Sequence, residues 1–212
     1  MEFLLSAMHK GGPAMWPILT VAIFAMLIVV ERVITIFRST CNATVIMHLV
    51  QRCILSREAD RALKLLSALR QRPLVRVLRA GLLCANRTEP EIQNAVDEAV
   101  LEVYPELNKH TGYLPMLANV ATLTGLLGTI HGLIIAFEAV AHASAETKQT
   151  LLAAGISTAM FTTASGLVVA IPTLILHSLI SSWTTKTMDE IDHCAFKLVN
   201  LLAVRQRAEA RR

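Results

Sequence analysis

The stretch VATLTGLLGTIHGLIIAF, residues 120–137, contains no Asp, Glu, Lys or Arg but is rich in glycine and threonine. A second stretch, GISTAMFTTASGLVVAIP at residues 155–172, has the same character. Helices that only anchor a protein in lipid are filled with large apolar residues. Small residues instead permit close helix contact, and hydroxyls in hydrocarbon need a partner or water. The two stretches therefore predict membrane helices that pack on each other around a polar feature, where the function resides.

A third apolar stretch, AMWPILTVAIFAMLIVVERVITIF at residues 14–37, is long enough to cross about 30 Å of hydrocarbon at about 1.5 Å per residue. A cleaved signal peptide is the alternative interpretation. However, no A-x-A-like site follows, and Glu31, Arg32 and Arg38 mark the end of the stretch as cytoplasmic. The sequence thus predicts an all-α integral membrane protein with three transmembrane helices and helical cytoplasmic extensions.

The basic residues predict the orientation of the chain. Most of its 20 Lys and Arg lie between Arg38 and Lys109 or after Trp183. Because positive residues stay on the cytoplasmic side, the predicted order is a periplasmic N-terminus (1–13), a first span (14–37), a cytoplasmic loop (38–112), a second span (113–139), a periplasmic loop (140–152), a third span (153–183) and a cytoplasmic tail (184–212). This bias also accounts for the net charge of +4, so the charge gives no reason to expect nucleic-acid binding.

The sequence lacks signals for metal, cofactor or enzymatic chemistry. Cys41, Cys53, Cys84 and Cys194 all fall on the predicted cytoplasmic side, where thiols stay reduced, and none forms a C-x-x-C pair. The histidines lack the spacing of a helical metal pair. There is also no Gly-rich phosphate loop, nucleophile elbow or convergent acid and base. We therefore expect no metal, no cofactor and no catalytic residues.

Apolar stripes predict that the cytoplasmic parts are packed helices. One stripe comprises Ala62, Leu65, Leu66 and Leu69, a second Ile92, Ala95, Val96, Ala99, Val100 and Val103, and a third Ile180, Trp183, Met188, Ile191, Cys194, Leu198 and Leu201. The third stripe predicts that the last span continues into the cytoplasm. Thr88 and Glu91 form a capping-box pattern that opens a helix running toward the second span. Core packing explains all three stripes better than a binding role does.

Winding the second span at about 100° per residue gives it one small, polar face. This face consists of Ala118, Thr122, Gly125, Thr129, Gly132 and Ala136. His131 winds to the opposite side, so an inter-helix hydrogen bond of its neutral ring is a better interpretation than a proton relay. The glycines predicted to mediate helix packing are Gly125, Gly128, Gly132, Gly155 and Gly166.

The third span carries a matching face. It consists of Gly155, Thr158, Thr162, Ser165, Gly166 and Val169, with Thr163 turned to its flank. Any one hydroxyl can bond back to a carbonyl one turn earlier, but a cluster of hydroxyls opposite a second polar face favours a hydrated path. Pro172 removes a hydrogen bond to the carbonyl of Val168, which creates a bend or a hydratable site. That bend either permits motion or is a static kink.

These residues resemble the MotA/TolQ/ExbB proton channel family, and most closely its ExbB/TolQ branch. LTGLLGTIHGLIIAF is similar to the second-span signature of that branch, and GISTAMFTTASGLVVAIPTLILH is similar to its third-span signature. The first span, GGPAMWPILTVAIFAMLIVVER, is also similar, including the Glu-Arg pair at its inner end. The resemblance covers about half of the chain directly, and the large inward loop fits the remainder.

The resemblance implies a bacterial inner-membrane motor in which proton flow drives the movement of a partner. Identical subunits, a pentamer by resemblance, surround an ExbD- or TolR-like single-span protein whose membrane Asp takes and releases the proton. In the branch that energises outer-membrane uptake, a TonB-like protein is a further partner. The threonines matching Thr129 and Thr163 line the pore, and we place Thr122, Thr158 and Thr162 on the same pathway. In residues 120–137 and 155–172, His131 alone titrates near neutral pH, so the chain has no obvious carboxylate carrier there.

One departure from the family bears on the ion path. Many ExbB and TolQ members have a Glu four residues before the Thr-Thr pair, where this chain has Thr158. Either the partner's Asp suffices, or another ion is used, or conduction is weak. Glu31 beside Arg32 at the membrane edge favours a structural ion pair or snorkelling.

A non-conducting scaffold that only packs helices and holds a partner is the alternative function. The sequence leaves open which process is energised and whether the ion is a proton or sodium.

Overall fold

A computed structural model describes residues 15–39, 43–56, 59–67 and 72–210 of the chain. All regular secondary structure in these ranges is α-helical, which confirms the predicted fold class. The seven helices are α1 (Met15–Ser39), α2 (Ala43–Leu55), α3 (Ala59–Ser67), α4 (Pro73–Leu83), α5 (Glu89–Asn108), α6 (Tyr113–Ala141) and α7 (Lys148–Ala210). The predicted N-terminus (1–13), Cys41 and Leu69 lie outside the described residues.

Three helical segments in the described part of the chain are long and apolar enough to cross a membrane, and they include α1, α6 and α7. Helix α1 covers the predicted first span, and α6 extends the predicted second span by two residues at its end. Helix α7 begins at Lys148, five residues before the predicted third span, and continues without interruption through Pro172 and the predicted tail. The connection before it is therefore shorter than predicted.

Residues 15–32 and 110–180 form one compact unit, here called the membrane unit. At one end of α1, Met15 and Ile18 pack against Phe161 and Val169 of α7. Farther along α1, Val21 joins a cluster with both α6 and α7, formed by Ala118, Ala121, Val169 and Ala170. Helix α1 thus contacts the other two membrane helices through apolar side chains, and the polar features lie elsewhere on α6 and α7.

Large side chains of α6 face outward in this unit. Exposed residues include Leu123, Leu126, Leu127, Ile130, Ile134 and Phe137, whereas the buried side of the helix carries mostly alanine and glycine. This is the reverse of the arrangement in a water-soluble helix. It suits a helix whose outer surface meets lipid tails or apolar side chains of a neighbouring subunit.

Residues 33–109 and 181–210 form a second compact unit, here called the bundle unit. Its core comes from α2, α3, α4, α5 and the later part of α7 and includes Val50, Ala62, Leu66, Val75, Leu78, Ile92, Val96, Val103, Ile191, Cys194 and Leu198. The predicted stripes therefore supply much of this core. Leu65 and Trp183 are exceptions and are exposed. Leu65 winds to the edge of the α3 stripe, and Trp183 lines a surface cleft beside Phe37.

Polar contacts fix the N-terminal end of α5 in the bundle unit. The predicted capping box is confirmed, since the Glu91 carboxylate accepts hydrogen bonds from the Thr88 N–H at 3.0 Å and the Thr88 hydroxyl at 2.8 Å. These bonds hold the pKa of Glu91 below its usual value, with a smaller contribution from Arg87. The Gln206 side chain of α7 donates to the carbonyls of the preceding turn, at Ala85 and Arg87. The end of α7 is thereby attached to the α4–α5 connection.

Helix α5 ends at Asn108, and residues 109–112 separate it from α6. The helix thus runs toward the second span, as predicted, but a four-residue turn separates the two. His110 has a φ of 63°, in the left-handed region, which a continuous right-handed helix does not allow.

Asp192 on α7 has a raised pKa, because partial burial disfavours its charge and Asp189 and Asp97 repel it. Such a carboxyl binds its proton more readily in the folded than in the unfolded state. The free energy of unfolding therefore falls as pH rises from the unfolded pKa, about 3.9, through the raised folded pKa, and stays lowered at neutral pH. We expect Asp192→Asn to raise the Tm at pH 7.

Thermal unfolding of the purified protein between about pH 3.5 and pH 7 tests this expectation. The Tm difference between Asp192→Asn and wild type should shrink toward the acid end of the series. Glu98→Gln, which neutralises an exposed carboxylate on α5, is the control. A stabilisation by Asp192→Asn that does not change with pH would contradict the electrostatic explanation.

Candidate ion pathway between helices α6 and α7

Helices α6 and α7 approach each other backbone to backbone through small residues. A Cβ added at Gly166 of α7 would lie 2.7 Å from the carbonyl oxygen of Ala121 and 3.2 Å from the Cα of Gly125, both on α6. One added at Gly132 would lie 3.2 Å from the Cβ of Ala159. No larger side chain fits between the helices at these points, so the contact requires the small residues that the sequence provides.

The structure places most of the predicted packing glycines in this contact. Gly125, Gly128, Gly132 and Gly166 are buried, and Gly155 is half-buried against Ala136. Pro172 lies on the exposed side of α7, outside the contact within one chain. Its neighbour Thr173 is buried and donates its hydroxyl to the carbonyl of Val169 at 2.7 Å. Four of the five predicted packing glycines are therefore buried, whereas Pro172, which the prediction grouped with them, lies outside the contact.

Four of the five candidate pathway hydroxyls donate to carbonyls of their own helix. Their bonds are Thr122 to Ala118 at 3.0 Å, Thr129 to Leu126 at 2.7 Å, Thr158 to Ala154 at 3.1 Å and Thr162 to Ala159 at 2.7 Å. Thr162 is buried, Thr129 and Thr158 are half-buried and Thr122 is exposed. Each of these oxygens keeps lone pairs for water or an ion, because a hydroxyl accepts as well as donates.

Thr163 differs from the other four because it bonds across the helix pair. Its hydroxyl donates to the carbonyl oxygen of Gly125 on α6 at 3.2 Å. A Cβ added at Gly125 would lie 3.3 Å from the Cα of Thr163, so the glycine is what permits this approach. Sequence reasoning placed Thr163 at the flank of the α7 face and missed this bond. The sequence feature that could have predicted this bond is a threonine on one helix opposite a glycine on the other, because the glycine leaves its carbonyl accessible.

His131 lies on the exposed side of α6. Among the described residues it has no hydrogen-bond partner, so the predicted inter-helix bond is not formed within one chain. The α6–α7 contact consequently holds hydroxyls and backbone carbonyls, together with apolar groups. Such groups can hydrate and guide an ion, and residues 120–137 and 155–172 contain no carboxylate.

The membrane edge carries a contact that sequence reasoning did not find. Nδ1 of His110 lies 3.0 Å and 3.2 Å from the two carboxylate oxygens of Glu31. The pair joins α1 to the turn that precedes α6 within the membrane unit, while Arg32 is buried at 1 % exposure. Because Glu31 and His110 are 79 positions apart, no helical periodicity relates them. Glu31 therefore has a structural partner in His110 within the membrane unit.

Comparisons with known proteins bear on this site. The profile of the MotA/TolQ/ExbB proton channel family matches residues 69–193, which contain α6 and the first two thirds of α7. Biopolymer transport protein exbB1 of Vibrio cholerae is 28% identical over 203 residues, which cover 95% of this chain and 89% of that protein. Putative biopolymer transport protein ExbB-like 1 of Synechocystis is 27% identical over 194 residues, with coverages of 88% and 74%. A putative ExbB homolog of Methanothermobacter thermautotrophicus is 30% identical over 122 residues, with coverages of 58% and 42%.

Proposed function

Since this chain belongs to the MotA/TolQ/ExbB proton channel family, as its motifs predict, we propose that it is an ExbB/TolQ-like subunit of an inner-membrane motor. In this proposal, proton flow through the complex drives the movement of an ExbD- or TolR-like partner with a single span. That movement energises transport or another process at the outer membrane. The similarity to exbB1 along nearly the whole chain favours the ExbB/TolQ branch.

The observation that carries the proposal is the composition of the α6–α7 contact. Half-buried Thr129 and Thr163 bring hydroxyls to two close-packed helices, and no carboxylate lies in residues 120–137 or 155–172. At the position where many relatives have Glu, Thr158 donates to the carbonyl of Ala154. A motor built from this chain therefore has no carboxylate carrier in these two segments, and a membrane Asp of the partner is a group of the right chemistry.

The exposed apolar surface of α6 supports assembly into a ring, for which we propose five subunits. In that ring, Thr129 and Thr163 face a central path that holds the partner's helix. We also propose that the N-terminus lies in the periplasm and the C-terminus in the cytoplasm, an orientation that the distribution of Lys and Arg favours. A membrane potential contributes about 2.3 kcal/mol per charge per 100 mV, which suffices to drive motion when several charges move.

Proton flux into liposomes that contain the protein with its co-purified partner tests this function. We expect Thr129→Val and Thr163→Val each to lower the flux about tenfold under an imposed potential. Each substitution removes a hydroxyl that an ion or water on the path can contact, and losing such a contact costs about 1–3 kcal/mol. A barrier raised by about 1.4 kcal/mol lowers the rate tenfold. Thr124→Val is the matched control, because Thr124 is also half-buried on α6 and donates to its own helix at Val120. Its flux should stay at the wild-type value.

A non-conducting scaffold is the second candidate, and one observation favours it. Four of the five pathway hydroxyls are already bonded within their own helices, as expected for threonines that serve packing alone. Under this function, an intact complex shows no flux with either a proton or a sodium gradient, and both Thr→Val variants leave partner binding unchanged. Flux with sodium alone would identify a motor that uses the other ion.

A further inference from the structure

A cleft of about 250 Å³ lies in the bundle unit between α1 and α7. Its walls are formed by Ile36, Phe37, Trp183, Lys186, Thr187 and Glu190. The rings of Phe37 and Trp183 meet edge to face, with centroids 6.3 Å apart and an interplanar angle of 66°. Both rings are exposed, at 70% and 43% respectively. The cleft therefore combines an aromatic wall that is open to its surroundings with two opposite charges.

Lys186 and Glu190 stand one helical turn apart on α7, and both line the cleft. Neither forms an ion pair with any residue in the described part of the chain. Lys placed four residues before Glu is also the less favourable order for a pair on one helix. The Thr187 hydroxyl donates to the carbonyl of Trp183 at 2.9 Å, so its oxygen can still accept a hydrogen bond. The cleft thus offers one cation, one anion and one acceptor to a ligand.

The position of the cleft along the chain indicates the edge of the membrane. Phe37 is the last residue of the apolar segment Met15–Phe37, and Trp183 is the last residue of the third predicted span. Tryptophan and tyrosine concentrate at the level of the lipid headgroups, because one end of the ring system is apolar and the other is polar. A lysine at that level keeps its ammonium among the headgroups. A cleft at that level is within reach of phospholipid headgroups.

We propose that the cleft binds a phospholipid whose headgroup carries both a phosphate and a primary ammonium, the phosphatidylethanolamine class. The Lys186 ammonium contacts the phosphate, the Glu190 carboxylate accepts hydrogen bonds from the lipid ammonium, and the start of the acyl chains lies against Phe37 and Trp183. A volume of about 250 Å³ is just below the range of about 300–1,000 Å³ for drug-sized ligands. It therefore suits a small headgroup with the chains outside.

Charge complementarity favours this class over the two obvious competitors. A headgroup with a phosphate and no cation, such as phosphatidylglycerol, leaves Glu190 beside an anion without compensation. Phosphatidylcholine supplies the positive charge, but its quaternary ammonium has no N–H to donate. A charge-assisted hydrogen bond is worth more than a neutral one. We therefore expect the affinity order ethanolamine, then choline, then glycerol.

Native mass spectrometry of the full-length protein purified in detergent tests the proposal. The protein is titrated with phosphatidylethanolamine, phosphatidylcholine or phosphatidylglycerol of identical acyl chains. We expect Glu190→Gln to weaken binding of phosphatidylethanolamine about tenfold, as expected for the loss of one charge-assisted hydrogen bond. The same variant should strengthen binding of phosphatidylglycerol, a change of selectivity that a merely damaged protein would not show.

Lys186→Gln should weaken binding of all three lipids, because all three contain the phosphate. Lys197→Gln and Glu98→Gln remove exposed charges of the same signs outside the cleft and should leave all three affinities unchanged. Equal binding of phosphatidylglycerol and phosphatidylethanolamine by wild type would overturn the proposal. So would unchanged selectivity in Glu190→Gln, or a cleft closed to all three lipids by a second copy of the chain. None of these outcomes depends on whether the protein conducts ions.

Discussion

Gly166→Val is expected to prevent helices α6 and α7 from packing and to abolish the folded membrane unit. The first added carbon at this position already lies 2.7 Å from the backbone oxygen of Ala121. Because that oxygen belongs to the α6 backbone, it cannot turn aside as the end of a side chain can. Gly166→Ala should therefore cost about 1–3 kcal/mol, the usual range for overpacking. Valine adds two further methyl groups to a contact with no space for the first, so we expect a larger loss.

Gly112→Ala is the matched control for this substitution. Gly112 has a φ of −66°, which alanine adopts without strain, and a Cβ added there meets no atom within 4 Å. Size-exclusion chromatography and thermal unfolding in detergent measure the outcome. Gly112→Ala should elute and melt as wild type does, whereas Gly166→Val should aggregate and Gly166→Ala should melt at a lower temperature. A Gly166→Val variant with the wild-type Tm would show that the two helices do not touch at this point.

Helical winding predicts much of the α6–α7 contact, because a face of small residues needs only the period of one helix. Gly125 and Gly132 on α6 and Gly166 on α7 were found in this way, and all three are buried. Winding does not determine how far one helix slides along the other. The bond from Thr163 to Gly125 depends on that offset. A residue at the flank of its own helix can thus become a central contact of the pair.

Contacts between segments that are far apart in the sequence are the hardest to predict from it. Glu31 and His110 meet because α1 passes beside the turn before α6 within the membrane unit, and neither residue belongs to a periodic pattern. The left-handed conformation of His110 separates α5 from α6, and the helical pattern of the sequence does not predict its position. A break of this kind usually occurs at Gly or Asn, because these residues adopt a positive φ readily. Here Gly112 stands two positions away in an ordinary helical conformation, so the sequence signal points to the wrong residue.

The second large effect is expected in the core of the bundle unit, where Gly81 of α4 faces Leu198 of α7. Leu198 is fully buried. Leu198→Ala should therefore lower the free energy of unfolding by about 2–5 kcal/mol, through lost burial and the cavity left behind. Each kcal/mol corresponds to about 2–4 °C in Tm for a chain of this size. Val204→Ala is the control, because Val204 follows on the same helix and is 64% exposed.

Combining Leu198→Ala with Gly81→Ala tests the contact itself. A Cβ at Gly81 would lie 2.7 Å from Cδ2 of Leu198 and 2.8 Å from Cγ2 of Val96, so Gly81→Ala alone should destabilise the bundle unit. Once Leu198 is alanine, the first of these atoms is gone and the new methyl group occupies part of the cavity. Alanine in a helix interior is also favoured over glycine by about 1 kcal/mol.

Gly81→Ala should therefore change sign in the Leu198→Ala background, from destabilising to neutral or stabilising. The double-mutant cycle should give a coupling of about 0.5–3 kcal/mol, as is usual for residues in direct contact. Val96 limits this gain, because its methyl group lies closer than 3.0 Å to the added Cβ and must still shift, and a valine side chain is stiff. Strictly additive losses in Tm would mean that Gly81 and Leu198 are not neighbours in the folded protein, and that α4 packs on α7 in another register.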